Sequence, residues 1–249
     1  PLPQENNSAE DETYVMVDGS MILTRENGWK EMKVGRIFSE TDCVPIQKNR
    51  NKITDSDYIC HLGNHEEFLR KMEWRIDAYS STKICVADGA KWIWNWVDET
   101  YPEMIQILDF YHAVEKMGQY AQHQIPEDKL RKRWLRTQKK RLLKNQASKI
   151  IELLKKETGR TPEAEKARND VIRYYQSNLK RMNYQTYLST GYIIGSGAIE
   201  SAHRNVVQQR LKLSGQRWTK KGAQQIVNLR ASHKSNRWGE VINLIKMAA

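Results

Sequence analysis

Lys83-Ile84-Cys85-Val86-Ala87-Asp88-Gly89 is the stretch that decides the fold class of this chain, and Tyr14-Val15-Met16-Val17-Asp18-Gly19 repeats its pattern. Both are short apolar runs, typical of buried strands, and both end in Asp-Gly. A carboxylate at the C-terminal end of a strand points out of the sheet edge, and a following glycine lets the chain turn sharply away. We therefore expect Asp18 and Asp88 to end neighbouring strands at the same edge of one sheet.

Strand and helix patterns alternate around these two runs. Further strands are predicted for Met32 to Phe38, after a turn at Asn27-Gly28, for Thr54 to Ile59 and for Met104 to Leu108. Helices are predicted for His65 to Tyr79, where apolar residues recur at helical spacing, and for the stretch that contains Trp92 and Trp96. This alternation favours an α/β layered domain with at least part of its sheet parallel.

The composition changes along the chain and divides it into segments. These are a polar stretch typical of a linker (1–13), the alternating strands and helices (14–126), a run of long helices (127–190), and a Gly-rich stretch followed by further helices (191–249). Within the long helices, Gly159 stops one helix and Pro162 starts the next. In the last segment, helices are predicted from about Ala198 to Leu213, from Thr219 to His233 and near the end.

The chain is strongly basic, with 41 Lys and Arg against 30 Asp and Glu and a net charge of +11. Its most basic part is predicted as a helix from Lys129 to Lys156, which holds twelve Lys or Arg and one acid, Glu152. A polyanion is therefore the first partner to consider. Nucleic acid fits better than a membrane, because no stretch approaches the ~20 apolar residues of a membrane span.

The three cysteines, Cys43, Cys60 and Cys85, lie far apart and in no metal-ligand spacing. This pattern indicates a reduced, cytoplasmic compartment. Cys60 with His61 and His65 could contribute to a zinc site, because Cys and His are its usual ligands. The sequence offers no second Cys or His pair to complete that site.

Asp18 and Asp88 on neighbouring strands would place hard oxygen ligands side by side, which suits Mg²⁺ or Mn²⁺ held in part by substrate phosphates. Glu200 is the candidate third acid, because its helix directly follows the Gly-rich segment Gly191 to Gly197. Each acid also has a local explanation. The Asp18 pair with glycine is a hairpin-turn signal. Asp88 can cap the helix that follows it, and Glu200 can pair with Arg204 one turn on.

An ordered set of motifs resembles those of a transposase family. The motifs are Val15-Met16-Val17-Asp18-Gly19-Ser20, Val86-Ala87-Asp88-Gly89-Ala90, Leu108-Asp109-Phe110-Tyr111-His112 and Ile194-Gly195-Ser196-Gly197-Ala198-Ile199-Glu200-Ser201, the last continuing through Arg210-Leu211-Lys212, Arg217-Trp218 and Gly222-Ala223-Gln224. From about Tyr14 to Arg230 the sequence resembles the DDE transposases of bacterial insertion sequences, within the Mutator-related group. The Asp-Gly pairs alone are weak signals, whereas the ordered set is specific.

The resemblance implies a ribonuclease H-like fold, in which helices flank a mixed sheet and an all-helical insertion precedes the last catalytic acid. Asp18, Asp88 and Glu200 match the family's Asp-Asp-Glu triad, which is catalytic and binds the metal. The implied cofactor is Mg²⁺ or Mn²⁺, as two ions roughly 3.5–4 Å apart that support DNA cleavage and strand transfer. The implied partners are transposon ends, target DNA and further copies of the chain, at the bacterial nucleoid. No DNA-recognition domain precedes Tyr14, so we expect no sequence-specific end binding by this chain alone.

Asp109 and His112 match a motif of the same group in which Asp or Cys precedes His by three residues. An Asp at the start of a helix can cap it and hold a His ring one turn later. We expect a structural role for both residues, or one of orienting a metal ligand. The ions themselves lower the pKa of bound water, so no His base is needed.

Two groups of basic residues are predicted to bind DNA phosphates. The first lies in the basic helix and the second near Glu200: Lys132, Arg136, Lys139, Lys140, Arg141 and Lys144, and Arg204, Arg210, Lys212 and Arg217. For each of them a solvated basic face is the alternative. Trp218 can stack on a base or sugar, or close the helical core.

Two rival functions remain at this point. A ribonuclease H-like nuclease or junction resolvase would use the same carboxylates without joining strands. A helix-turn-helix regulator would use the helices around Ser214-Gly215, whose short break is compatible with that motif. The regulator leaves the two Asp-Gly strand ends unexplained.

Overall fold

The structure, a computed structural model, describes residues 11–47 and 50–248. Its strands are β1 (Glu12–Thr24), β2 (Gly28–Ser39), β3 (Cys43–Gln47), β4 (Arg50–Ile53), β5 (Asp57–Leu62), β6 (Thr82–Ala87) and β7 (Ile105–Leu108). Its helices are α1 (His65–Ile76), α2 (Lys91–Thr100), α3 (Phe110–Gln124), α4 (Asp128–Leu142), α5 (Ala147–Lys156), α6 (Pro162–Asn178), α7 (Tyr184–Thr190), α8 (Gly197–Ala202), α9 (Gln209–Leu211), α10 (Lys220–Lys234) and α11 (Trp238–Ala248). A π-helical segment, His203–Gln208, joins α8 to α9.

The main sheet has the strand order β5-β2-β1-β6-β7. β1 pairs antiparallel with β2 along its whole length, from Thr13 opposite Ser39 to Thr24 opposite Gly28, and β2 pairs antiparallel with β5. β3 and β4 form a separate two-stranded sheet. The main sheet is mixed and helices flank it, which confirms the predicted α/β class.

The chain divides into two compact units. Unit 1 comprises the described residues up to Cys85, Trp92–Ile105 and the described residues from Gly197 onward. Unit 2 comprises Val86–Lys91 and Gln106–Ser196. The boundaries of these units differ from the boundaries of the segments predicted from composition.

Unit 1 packs helices on both faces of β2. Phe68 and Met72 of α1 lie against Gly35. The guanidinium of the next residue, Arg36, is buried and donates from Nη1 to the carbonyl of Ala198 in α8 at 2.9 Å. Because successive strand residues point to opposite faces, α1 and α8 cover opposite faces of the strand.

The outer strand β5 is covered along its edge by α10 and the residue that follows it. The backbone N–H of Leu62 donates to the Gln224 side chain at 2.8 Å, and the Gln224 amide donates to the Cys60 carbonyl at 3.1 Å. The backbone N–H of Tyr58 donates to the Ser235 hydroxyl at 2.9 Å. These bonds satisfy backbone groups that an open sheet edge would offer to another strand.

Unit 2 is mainly helical, and buried tyrosines tie its helices together. Tyr175 of α6 is fully buried and donates its hydroxyl to the carbonyl of Ala113 in α3 at 2.8 Å. Tyr120 of α3 donates its hydroxyl to Glu157, which follows α5, at 2.5 Å. A buried tyrosine needs such a partner for its hydroxyl, so these contacts fix how the helices pack.

Several predicted elements are corrected by the structure. β1 does not end at Asp18 but runs on to Thr24. The basic helix predicted from Lys129 to Lys156 is two helices, α4 and α5, because the chain turns between them where Asn145 adopts a positive φ of 55°. The predicted helix from Ala198 to Leu213 is interrupted by the π-helical segment.

Other expectations hold or lie outside the described residues. α1, α2, β6, β7 and α10 occur where the sequence predicts them, to within a few residues. Residues 1–10 of the predicted linker lie outside the described residues, and Glu12 and Thr13 belong to β1. No helix in the described ranges is both long enough and apolar enough to cross a membrane.

Candidate active site

Asp18 lies on β1, in unit 1, with its carboxylate at the sheet surface. It is paired with Val34 of β2, and 34% of its side chain is exposed. Its Oδ1 accepts a hydrogen bond from the backbone N–H of Gly19 at 2.7 Å, and its Oδ2 lies 3.4 Å from Nε2 of His203. The carboxylate therefore keeps access to solvent while neighbours on both sides fix its position.

The hairpin-turn interpretation predicted that the chain turns at Gly19, and this prediction is wrong. Gly19 sits in the β1–β2 ladder opposite Lys33, and the chain reverses between Thr24 and Gly28 instead. A Cβ on Gly19 would lie 2.2 Å from Oε1 of Glu31, so the missing side chain makes room for that carboxylate. Glu31 is itself held by the buried ammonium of Lys33 at 2.5 Å.

Glu200 lies in the first turn of α8, and its side chain is exposed. α8 contacts both β1 and β2, with Ile199 and Ala202 buried beneath it. The Arg36 bond to the first turn of α8 fixes the helix on the strand pair that carries Asp18. Among the described residues, no contact between Glu200 and Arg204 supports the alternative in which Glu200 pairs with Arg204.

His203 is the histidine that α8 brings to Asp18. It is only 3% exposed, and neither ring nitrogen has a hydrogen-bond partner among the described residues. Burial lowers the pKa of His203, and the Asp18 carboxylate opposes that shift. Burial therefore favours the neutral form of the ring, which lies beside Asp18. It also begins the π-helical segment, a rare geometry that is frequent at functional sites.

Lys212 provides positive charge near the same carboxylate. Burial lowers the pKa of its ammonium group, and the charge of Asp18 opposes that shift. Arg210, two residues earlier, places its guanidinium 4.7 Å from the ring centre of Trp218. All four DNA-binding cations predicted near Glu200 follow α8, and Arg204, Lys212 and Arg217 are exposed while Arg210 is half-buried.

Asp88 belongs to unit 2 and directly follows β6, the strand next to β1 in the sheet. Its Oδ1 accepts a hydrogen bond from the backbone N–H of Ala90 at 2.9 Å, which supports the turn into α2. A Cβ on Gly89 would lie 2.1 Å from Cε2 of Tyr174. Burial, then the charges of Asp88 and Asp109, raise the pKa of that tyrosine. The ring of Tyr174 thus lies close to Asp88.

Asp109 is a fully buried carboxylate at the start of α3, also in unit 2. Its Oδ1 accepts from the backbone N–H of Tyr111 at 2.8 Å, and its Oδ2 accepts from Nδ1 of His112 at 2.6 Å and from the Ser196 hydroxyl. Burial alone would raise the pKa of Asp109, but these hydrogen bonds bring it below its ordinary value. The predicted capping of α3 and holding of His112 are confirmed.

The triad residues are thus distributed over both units, with Asp18 and Glu200 in unit 1 and Asp88 in unit 2. No protein-family model and no curated protein matches this chain. The family resemblance rests on the motifs themselves, and the role of each triad residue stays a prediction.

The donor chemistry of the triad suits a divalent cation. Asp18 and Glu200 offer carboxylate oxygens with access to solvent, and Mg²⁺ is usually held by one or two carboxylates plus substrate phosphates. Among the described residues, no group of three or more His, Cys, Asp or Glu side chains is placed to hold a metal ion, which applies to Asp18, Asp88 and Glu200 as well as to the zinc alternative. Burial raises the pKa of the Cys60 thiol to about 12, which disfavours the thiolate that zinc binds.

The basic residues predicted on the long helix lie on α4 or just after it. Lys132, Arg136, Lys139, Lys140 and Lys144 are exposed. Lys132 is paired with Asp128 at 2.6 Å. Arg141 donates from Nη1 to Oε1 of the buried Gln138 at 2.9 Å, so its guanidinium is engaged within the protein. The remaining exposed cations form the surface that is available to a polyanion.

Sequence reasoning did not single out His203, Ser196, Tyr174 or Glu31. A lone His three residues after Glu200 carries no signal of its own, because its neighbour Asp18 lies at the other end of the chain. Ser196 stands within a quoted motif, but only the fold shows that its hydroxyl bonds Asp109. These contacts depend on long-range packing, which one sequence does not encode as a pattern.

Proposed function

We propose that this chain is the catalytic part of a DNA transposase with a ribonuclease H-like core. The observation that carries the proposal is the packing of α8, with Glu200, against β1 and β2, with Asp18. Glu200 and Asp18 are far apart in the sequence, so no local turn or cap preference accounts for the contact between α8 and β1. Asp88, the second acid of the motif set, directly follows β6, as the proposal requires.

In the proposed reaction Asp18, Asp88 and Glu200 would hold Mg²⁺ or Mn²⁺, which lowers the pKa of bound water and polarises the phosphodiester. An oxygen of water or of a DNA 3′-hydroxyl bonds to phosphorus as the bond to the leaving 3′-oxygen breaks. His203 packs against Asp18 and limits its rotamers. Lys212 offsets negative charge where the DNA backbone approaches. The same residues therefore serve both cleavage and joining.

Alanine substitutions of the triad test the proposal. Asp18→Ala, Asp88→Ala and Glu200→Ala should each reduce nicking of supercoiled DNA in Mg²⁺ by at least about 10³-fold. DNA binding should be retained or slightly tighter, because each change removes negative charge near phosphate. Glu99→Ala, at an exposed carboxylate of α2, is the matched control and should nick normally. Retained nicking by Asp88→Ala would contradict the assignment.

Two assays separate the rivals. A nuclease without joining activity would nick DNA but would not insert pre-cut transposon ends into target DNA, whereas the proposed transposase does both. A helix-turn-helix regulator would show no metal-dependent cleavage. The connection between α9 and α10 comprises residues 212–219. This is longer than the turn of about three or four residues that joins the two helices of a helix-turn-helix motif.

A further inference from the structure

The tip of the β1–β2 hairpin carries a cationic notch in unit 1. The notch has a volume of about 640 Å³ and is lined by Leu23, Thr24, Arg25, Gly28, Gly215 and Arg217. The charged side chains among these lining residues are both arginines. A guanidinium presents its N–H groups in a fork that matches the geometry of a phosphate.

Backbone hydrogen bonds hold this notch in shape. The backbone N–H of Arg25 donates to the Trp218 carbonyl at 2.9 Å, and that of Trp218 donates to the Leu23 carbonyl at 3.3 Å. Nε of Arg25 donates to the Arg217 carbonyl at 3.2 Å, which orients the guanidinium. A site that is already ordered loses less entropy when a ligand binds.

The acid at the hairpin tip, Glu26, is hydrogen-bonded to the N-terminus of α10. Both carboxylate oxygens of Glu26 accept from the backbone N–H of Lys220, at 3.2 and 3.1 Å, in the first turn of α10. A carboxylate at a helix N-terminus is stabilised by the helix dipole. Its charge is therefore partly offset there, while the arginines of the notch remain available to an anion.

An exposed aromatic face adjoins the notch on the same hairpin. Trp29, next to Gly28 of the notch, is 62% exposed and pairs with Leu23 across the ladder. Met21, two residues before Leu23 and thus on the same face, is 46% exposed. An exposed indole beside cations is the arrangement on which unstacked nucleic-acid bases stack.

Positive charge continues from the hairpin tip toward Asp18. Arg210 covers the ring of Trp218, which bridges to Thr24 in the hairpin, and Lys212 lies near Asp18. Along β1 the distance from Asp18 to Thr24 is about 20 Å, from six residues at about 3.3 Å each. A DNA strand that reacts at Asp18 would therefore reach the notch within a few nucleotides.

We propose that the hairpin tip is a subsite for a DNA strand with unpaired bases, which places a backbone phosphate between Arg25 and Arg217 and stacks a neighbouring base on Trp29. This assignment rests on the proposed function, because it takes Asp18 as the reacting end of the strand. It adds that the chain prefers a frayed or single-stranded end over a closed duplex.

Fluorescence anisotropy without divalent metal tests the subsite. The probes are a labelled single strand of about 20 nucleotides and the duplex of the same sequence, each measured over a series of salt concentrations. Arg25→Gln/Arg217→Gln leaves shorter polar side chains that still carry N–H donors, and removes both charges. Lys234→Gln/Lys246→Gln removes the same charge from exposed positions on α10 and α11 and is the matched control. Circular dichroism and thermal unfolding confirm that each variant is folded.

For the arginine pair, the slope of log Kd against log salt for the single strand should fall by about 0.7, as expected for one lost phosphate contact. The lysine control should change it much less. Trp29→Ala should weaken single-strand binding by about 5- to 100-fold and leave duplex binding unchanged, while Trp29→Phe retains most of the affinity. An unchanged slope in the arginine pair, or unchanged single-strand affinity in Trp29→Ala, would overturn the subsite.

These results are separable from the test of the proposed function. If the wild-type chain shows the binding pattern but does not nick DNA in Mg²⁺, the transposase proposal fails and the subsite stands as a DNA-binding site. If it nicks DNA and the variants bind like wild type, the subsite alone fails.

Discussion

At the scale of the residue, Asp109 shows how one buried carboxylate holds several parts of unit 2. It caps α3 through Tyr111, holds the His112 ring and accepts from Ser196. Asp109→Asn keeps the shape but replaces an acceptor by an N–H₂ donor. The free energy of unfolding should fall by about 2–4 kcal/mol, from a weakened cap and lost charge-assisted bonds, as measured by urea denaturation. Asp128→Asn, at an exposed ion pair of α4, is the control and should have little effect.

The same substitution has a defined pH signature. Because the pKa of Asp109 is lowered in the folded state, its contribution to stability is present above the unfolded value and is lost as pH falls through the folded value. The wild-type chain should therefore lose more stability than Asp109→Asn as pH is lowered below about 4. Parallel stability curves for the two proteins below that pH would contradict this account.

Gly89 gives a second prediction for a single residue. Its missing Cβ leaves the space that the Tyr174 ring occupies, so Gly89→Ala forces the ring to move and should cost about 1–3 kcal/mol. Gly118 lies inside α3, in the same unit, and a Cβ there would meet nothing within 4 Å. Gly118→Ala should stabilise the protein by about 0.5–1 kcal/mol, because alanine favours the helix. Urea unfolding of both variants decides the matter, and equal effects would show that packing against Tyr174 is unimportant.

The sequence identified the candidate site residues better than it predicted the contacts that those residues make. The Asp-Gly pattern singled out Asp18 and Asp88, and it correctly placed Asp88 after a strand. It gave the wrong reason for Gly19, which is needed for the approach of Glu31 and not for a turn. That approach is set by the β1–β2 register, and the Asp-Gly signal is the same whether the glycine turns or packs.

At the scale of the element, local periodicity predicted α1 and β6 well because their apolar residues follow one period. β3 and β4 were missed because their described side chains are mostly exposed and lack the alternation of a half-buried strand. β3 also contains Pro45 next to an irregularity in the ladder, and proline within a run argues against a strand. The turn between α4 and α5 was missed because the basic run continues through it.

The α4 surface carries a prediction about DNA binding. Lys139→Glu/Lys140→Glu/Lys144→Glu changes the charge by six units at exposed positions, without touching Arg141 and its bond to Gln138. If α4 binds DNA phosphates, the triple variant should bind all DNA sequences more weakly. The slope of log Kd against log salt should fall by about 0.9 for each lost phosphate contact. Lys149→Glu/Lys155→Glu/Lys156→Glu makes the same charge change on α5. Equal losses from both triple variants would show that only the net charge matters.

At the scale of the whole molecule, a net charge of +11 would favour attraction to a polyanion but does not define a reaction. Charge that is spread over α4, the α8–α9 segment and the hairpin tip would raise affinity for any nucleic acid. In the proposed function, catalysis would depend instead on three acids, Asp18, Asp88 and Glu200. The fold class followed from the order of strands and helices, whereas the division into two compact units did not, because each unit joins segments distant in the sequence.

A thermal-shift measurement with a divalent cation tests metal binding by the proposed triad without any assay of activity. Carboxylates that share a site repel one another, so a bound cation should stabilise the folded chain. Ca²⁺ at about ten times its Kd should add about 1.4 kcal/mol and raise the melting temperature of the wild-type chain by about 3–5 °C. The shift should disappear in Asp18→Ala and in Asp88→Ala but persist in Glu99→Ala. Mg²⁺ or Mn²⁺ should support nicking, whereas Ca²⁺ supports binding only, because its looser coordination does not suit the compact transition state. A Ca²⁺-induced shift of equal size in all of these variants would mean that the cation binds elsewhere on the chain.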